Sequence, residues 1–170
     1  MIQTSVFSVP CVVADRITLR QATPADAPAI ADLVKLGERE GQLLPRSLEF
    51  IRASIDDWIV AEKNGRIVGC GSLLEMGPTL VEVRSLAVAP AYRQNGVGAR
   101  LVEALVSEAR ARGISTVFAL TRAVAFFEKL GFVVTVKEDF PEKVWRDCII
   151  CPVRHACDEV AVVKSVSSEL

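Results

Sequence analysis

Between an apolar run that ends at Val88 and an amphipathic run that begins near Ala99 lies Arg93-Gln94-Asn95-Gly96-Val97-Gly98. A strand that hands over to a helix through such a turn leaves the leading N–H groups of the helix unpaired around a small concavity, which binds anions. A side chain at Gly96 or Gly98 would restrict the backbone and keep phosphate oxygens away. Arg93 adds a permanent positive charge at the mouth. The segment lacks the Lys-Ser/Thr ending of a Walker loop, and its strand lies mid-chain, so the turn fits the pyrophosphate of a different nucleotide ligand. Upstream, Glu82 and Arg84 share one face of the run by period two. Glu82 is either a proton acceptor raised toward neutrality by burial or one half of an i,i+2 ion pair with Arg84. Arg46, Arg84 and Arg122 offer planar forks that suit carboxylates.

The surrounding pattern supplies the elements that must hold these residues. Ile17 to Gln21 alternates as a strand; Thr23-Pro24 then caps a helix expected to run to about Lys35. Gly37 and Gly41 mark a mobile connection through Leu43-Leu44-Pro45-Arg46, after which Ser47 caps a short helix over Leu48 to Ile55. Two apolar runs, Trp58 to Glu62 and Ile67 to Leu74, flank Asn64-Gly65, a strong hairpin signal, and Thr79 to Val88 extends the meander. Leu101, Val102, Leu105, Val106 and Ala109 recur at helical spacing, closed by Arg112-Gly113. A strand from Thr116 to Leu120, a helix from Ala123 to Leu130, a strand from Phe132 to Val136 and a last strand over Glu159 to Lys164 follow. Hairpins in the first half and β-α-β crossovers in the second predict an α/β (α+β) fold: a mixed, mainly antiparallel sheet of six to seven strands with helices on both faces.

With 170 residues, the chain fits one domain, residues 15–170 behind an N-terminal extension of residues 1–14, and needs neither metal nor disulfides to build a core. Lys plus Arg number 20 and Asp plus Glu 21, which argues against nucleic-acid or anionic-membrane partners and for a small molecule. No apolar run approaches the roughly 20 residues of a membrane span, and Met1 to Pro10 lacks a signal-peptide pattern, so a cytoplasmic location is expected. Five cysteines, an odd number, do not form a secreted disulfide framework; Cys11 and Cys70 read as ordinary thiols. Cys148, Cys151, His155 and Cys157 offer a tetrahedral zinc set, but their pairs lie unusually close for a finger. Reduced thiols or a redox-sensitive pair are therefore the expected reading, with no metal site.

Val83 to Pro90, Tyr92 and the glycine turn together resemble the acetyl-CoA signature (Q/R-x-x-G-x-G/A) of the GNAT superfamily of N-acetyltransferases. The resemblance implies that main-chain groups around Leu86, Ala87 and Val88 bind the pantetheine arm and thioester, and that Arg93, Gln94, Asn95, Gly96, Val97 and Gly98 hold the pyrophosphate. Phe127 stands at the place where many members carry a tyrosine that protonates the departing thiolate. Leu44-Pro45-Arg46, Glu82 to Val88, Leu120-Thr121-Arg122 and Leu130-Gly131-Phe132 narrow the resemblance to N-acetylglutamate synthases over roughly residues 15 to 164. Pro141 to Trp145 and the cysteine-rich tail are similar to short stand-alone members, which lack the amino-acid-kinase-like domain linked to arginine feedback.

That branch implies transfer of acetyl from acetyl-CoA to the α-amino group of L-glutamate in a ternary complex, the entry to arginine biosynthesis, by a homodimer. Glu82 takes the role of base and Thr121 that of the hydroxyl donor; Arg46 and Arg122, with main chain near Leu44 and Ser85, bind the substrate carboxylates, and Arg84 is a third candidate. Acceptance of another amine, such as glutamine, another amino acid or a protein N-terminus, and a non-catalytic acyl-CoA-binding module remain the alternatives.

Overall fold

A computed structural model describes residues 16–141 and 146–167. The expected extension 1–14, with Cys11, lies outside the described residues, as do 142–145 and 168–170. In chain order the elements are β1 (Thr18–Gln21), α1 (Ala27–Arg39), α2 (Leu48–Ala53), β2 (Trp58–Lys63), β3 (Arg66–Glu75), β4 (Leu80–Val88), α3 (Val97–Ala111), β5 (Thr116–Thr121), α4 (Val124–Lys129), β6 (Val133–Thr135) and β7 (Val160–Ser165). Seven strands form one sheet in the order β1-β2-β3-β4-β5-β7-β6. Only β4 and β5 run parallel, with α3 crossing between them; the other neighbours are antiparallel. The chain therefore has the mixed, mainly antiparallel α/β sheet that its pattern predicts.

The sheet is covered on both faces because its strands alternate. Ile59 and Ala61 of β2 face α3, whose Leu101, Val102, Leu105 and Ala109 are buried against Val83 and Val117. Trp58 and Val60, one residue out of phase, face α1 and α2 and pack with Ile30, Val34 and Ile51. Asn64 and Gly65 both take positive φ, as a two-residue hairpin turn between β2 and β3 requires.

Thr23 is the N-cap expected before Pro24, in a capping box with Asp26: it donates its backbone N–H and its hydroxyl to the Asp26 carboxylate, at 2.7 and 3.0 Å. Asp26 also receives the Arg20 fork at 2.7 and 2.9 Å, and that guanidinium holds its carboxyl down at about 2. α1 continues four residues past Lys35 because Gly37 lies on its buried face and does not end it. A Cβ at Gly37 would meet Leu43 Cδ1 at 2.5 Å, so the glycine leaves the space into which the following loop folds back.

Two irregularities position the site. β3 pairs Cys70 with Ala87 and then Ser72 with Arg84, so β4 carries one extra residue. Ser85 absorbs it with φ of 54° while buried, as at a β-bulge that re-aims its strand. On the other side, β4 pairs with β5 only over Leu80–Glu82, against Thr116, Val117 and Phe118. Beyond Glu82 the parallel strands diverge, and β5 is held along its length by β7 instead.

Candidate active site

The divergence opens a cavity of about 430 Å³ between β4 and β5. Val83, Arg84, Ser85 and Leu86 form one wall, Ala119 to Ala123 the other, and Phe126 and Phe127 of α4 a third side. Backbone N–H and C=O groups of β4 that have lost their β5 partners must be satisfied by something else. An extended, amide-bearing chain laid along β4 would satisfy them as a missing strand does.

At one end of β4 the glycine turn takes the form the sequence predicts. Pro90–Tyr92 makes a single 3-10 turn; Gln94 and Gly96 adopt φ of 64° and 77°, and Gly96 is the N-cap of α3. The left-handed Gly96 lets the chain reverse into α3, whose first turn points its free N–H groups outward. Arg93 differs from expectation. Its fork is held by both Glu40 carboxylate oxygens at 2.9 and 3.2 Å, and its Nε donates to Val88 O at 2.9 Å. Much of its charge is thereby matched within the chain, so the anion-binding power of the turn rests on its N–H groups and the α3 dipole.

Glu82 occupies the apex, being the last β4 residue paired with β5, and is 2% exposed. Its register partners are Leu74 and Phe118, and Phe118 stacks on Phe140 at 4.1 Å. Arg84 does not form the tight i,i+2 ion pair with Glu82 considered above; its closest acidic contact is Asp147, at 3.3 Å. Thr121 lies in the cavity wall, where its hydroxyl oxygen accepts the Ala123 N–H at 2.9 Å. It therefore caps the turn into α4, and its own O–H proton is still available to donate. Cys70, paired with Ala87 behind the bulge, is fully buried, and burial pushes its thiol up to about 12, which leaves it unreactive.

The arginines divide into two groups. Arg46 and Arg84 lie against Phe50, 5.6 and 5.4 Å from the ring centre. Burial, and then repulsion from Arg46, push the Arg84 guanidinium below its ordinary value. Arg46 Nε is buried and has no hydrogen-bond partner among the described residues. Two neighbouring guanidinium groups, one with an unsatisfied buried N–H, form a site built for an anion. Arg122, on the opposite wall, is engaged by Asp158 at 2.5 Å, with Glu159 at 3.8 Å and Gly41 O at 3.3 Å. The hydrogen bond from Arg122 holds the Asp158 carboxyl below its usual range.

Of the residues singled out by sequence, Arg84, Ser85, Leu86, Thr121, Arg122 and Phe127 line the cavity. Glu82 lies at its apex, the 93–98 turn caps the far end of β4, and Leu44 and Arg46 sit in the covering loop beside α2. Sequence reading missed Gln42, Leu43, Phe126 and Glu159 in the wall, and Glu40, Asp147 and Asp158 as arginine partners. The aromatic pair Phe126-Phe127 was legible; the acids were not, because each lies 36 to 63 residues from its arginine. In the tail, Lys137 Nζ approaches Cys157 Sγ at 3.1 Å, and among the described residues no group of three or more His, Cys, Asp or Glu is placed to hold a metal ion. No helix among the described residues is long and apolar enough to cross a membrane.

Comparison with known proteins agrees with this geometry. An uncharacterised N-acetyltransferase of Chlorobaculum tepidum is 41% identical over 148 residues, 87% of this chain and 96% of that protein. The amino-acid acetyltransferase of Neisseria meningitidis serogroup A is 34% identical over 133 residues, 77% of this chain but only 30% of that enzyme. N-acetylglutamate synthase from Neisseria gonorrhoeae, solved with coenzyme A and N-acetyl-glutamate, superposes with a TM-score of 0.77 at 29% identity, covering 89% of this chain and 35% of that one. The chain thus spans about a third of the length of these longer enzymes. The model of the acetyltransferase (GNAT) family matches residues 27–132. With that model matching well over half of the chain, and a relative 41% identical over 87% of it, the chain belongs to the acetyltransferase (GNAT) family.

Proposed function

We propose that the chain transfers the acetyl group of acetyl-CoA to the α-amino group of L-glutamate by direct attack in a ternary complex, the entry reaction of arginine biosynthesis. One observation carries this reading: a single cavity runs between diverging strands, with the glycine turn where β4 ends and an arginine cluster beside its mouth. The gonococcal synthase was solved with coenzyme A and N-acetyl-glutamate, ligands of the classes this reading requires.

In this reading, main-chain groups of Leu86, Ala87 and Val88 align the pantetheine arm, the 93–98 turn binds the pyrophosphate, and Phe127 walls the acyl end. Arg46 and Arg84, with main chain near Leu44 and Ser85, take one substrate carboxylate; Arg122 faces the other. Glu82 removes a proton from the ammonium group. The free amine attacks the thioester carbon, and the C–S bond breaks as the tetrahedral oxyanion collapses; the Thr121 hydroxyl can relay a proton to the leaving thiolate, taking up in exchange the second proton that the attacking nitrogen sheds as it becomes an amide. The inert Cys70 thiol favours direct transfer over an acyl-cysteine route.

Thiol release from acetyl-CoA across a panel of amino acids tests the proposal. The highest rate is expected with glutamate; rates no greater than hydrolysis with glutamate, glutamine and aspartate would sink it. A separate measurement tests the turn. A Cβ at Gly98 would come no closer than 3.6 Å to Phe126, an ordinary contact, so the protein itself does not require glycine there. Alanine is the better helix former by roughly 1 kcal/mol. Gly98→Ala is therefore expected to leave the thermal midpoint unchanged or higher and, since the Q/R-x-x-G-x-G/A pattern accepts alanine at this place, to leave KM for acetyl-CoA within about twofold, whereas the bulkier side chain of Gly98→Val, in the path of the phosphates, is expected to raise that KM about tenfold. An unaltered KM in Gly98→Val would show that the pyrophosphate lies elsewhere.

A further inference from the structure

The acceptor side carries a feature that the assignment of Arg122 as a carboxylate ligand does not account for. Its Nε donates to Asp158 Oδ1 at 2.5 Å, its Nη1 donates to Gly41 O at 3.3 Å, and Glu159, which lines the same cavity, stands 3.8 Å from Nη1. A guanidinium has two edges on which a carboxylate can sit with two parallel hydrogen bonds, and both include Nη2. With Nε held by Asp158, the side-on edge (Nε with Nη2) is taken; Nη1 carries two N–H groups, so its bond to Gly41 O leaves the end-on edge open. A ligand carboxylate must therefore either displace Asp158 from the side-on edge or take the end-on edge against the repulsion of the Asp158 and Glu159 charges that already contact the same guanidinium. A carboxamide meets no such barrier. Its carbonyl accepts from Nη2, and its N–H groups donate to Asp158 or Glu159, which a carboxylate cannot do.

Resting on the reading that the acceptor is an amino acid of the glutamate type, we propose that Asp158 is a specificity-determining residue: by occupying Arg122 it sets the balance between carboxylate and carboxamide side chains in the acceptor. The other end of the acceptor is served by Arg46 and Arg84: Arg84 meets Asp147 on a single nitrogen, but the buried Arg46 Nε has no hydrogen-bond partner among the described residues and is open to a ligand. Asp158 is 69% exposed, so replacing it does not disturb the core. Being an exposed ion pair, its contact with Arg122 is weak enough for a ligand to exchange with it.

The test is thiol release with glutamate and with glutamine for the wild type, Asp158→Asn and Asp158→Ala, with kcat and KM separated. Both variants should raise the ratio of kcat/KM for glutamate over glutamine by about threefold to tenfold, mainly through a lower KM for glutamate. A ratio within twofold of the wild type in both variants, including equal losses on the two acceptors, overturns the proposal and leaves the glutamate reading standing. A wild type that acetylates neither amino acid overturns both.

Discussion

Glu82→Gln is expected to lower kcat at neutral pH about hundredfold, in the range of 10²–10⁴ over which positioned acid–base groups act. The substitution is nearly isosteric and removes a buried charge at a position 2% exposed, so the fold should persist and a thermal melt should confirm it. In the proposed mechanism, what is lost is the acceptor for the ammonium proton, which Glu82 would hold at the point where β4 and β5 part. The pH profile provides the more specific readout. Without a base in the site, the amine must arrive already deprotonated, so the rate of the variant should climb with pH well beyond the point where the wild-type rate has levelled. KM for acetyl-CoA should change little, since the proposed path of the coenzyme runs along β4 from Leu86 to the glycine turn, away from Glu82. An unchanged kcat and an unchanged profile would show that the amine proton leaves by another route.

Arg46→Ala is expected to raise KM for the amino acid about tenfold to hundredfold, the equivalent of a charge-assisted hydrogen bond worth roughly 1.5–3 kcal/mol. The prediction is attached to Arg46 rather than to Arg84 because the two differ in their partners. Arg84 has Asp147 at 3.3 Å, whereas Arg46 has a buried Nε without a partner and a single 3.4 Å bond from Nη1 to Pro45 O. Arg46 also repels Arg84 across Phe50. Removing it relieves that repulsion and an unsatisfied buried donor together, so the thermal midpoint should hold or rise while substrate binding weakens. Improved stability with poorer binding is the signature of a residue kept for its ligand. Arg46→Lys should recover only part of the loss, since an ammonium group cannot reproduce the two-nitrogen edge. A KM within twofold of the wild type for Arg46→Ala would move the carboxylate site away from the 43–47 loop.

Much of the architecture was legible because its causes are short-range. Asn64-Gly65 set the hairpin, the 3.6-residue spacing from Leu101 to Ala109 marked α3, and hairpins followed by β-α-β crossovers pointed to a mixed sheet with helices on both faces. Errors fell where tertiary packing overrode a local signal. Gly37 was read as the end of α1, yet it lies inside the helix because Leu43 folds over the space it leaves. Thr23 is the N-cap that its type and place before Pro24 predict, but the hold of Arg20 on its capping-box partner Asp26 comes from tertiary packing.

The sequence by itself determined the parts list: an anion-binding glycine turn after a strand, a buried-face glutamate two residues from an arginine, and three arginines suited to carboxylates. These follow from backbone chemistry at one place in the chain. Tertiary structure alone decided which of those charges are already matched. It seated Glu40 on Arg93, Asp147 on Arg84 and Asp158 on Arg122, left a buried nitrogen of Arg46 unsatisfied, and inserted β7 between β5 and β6. The reason is range: hydrogen-bonded turns and periodic faces are set by residues a few positions apart, whereas the partner of a charge is set by whichever distant segment the sheet carries within 3 to 4 Å.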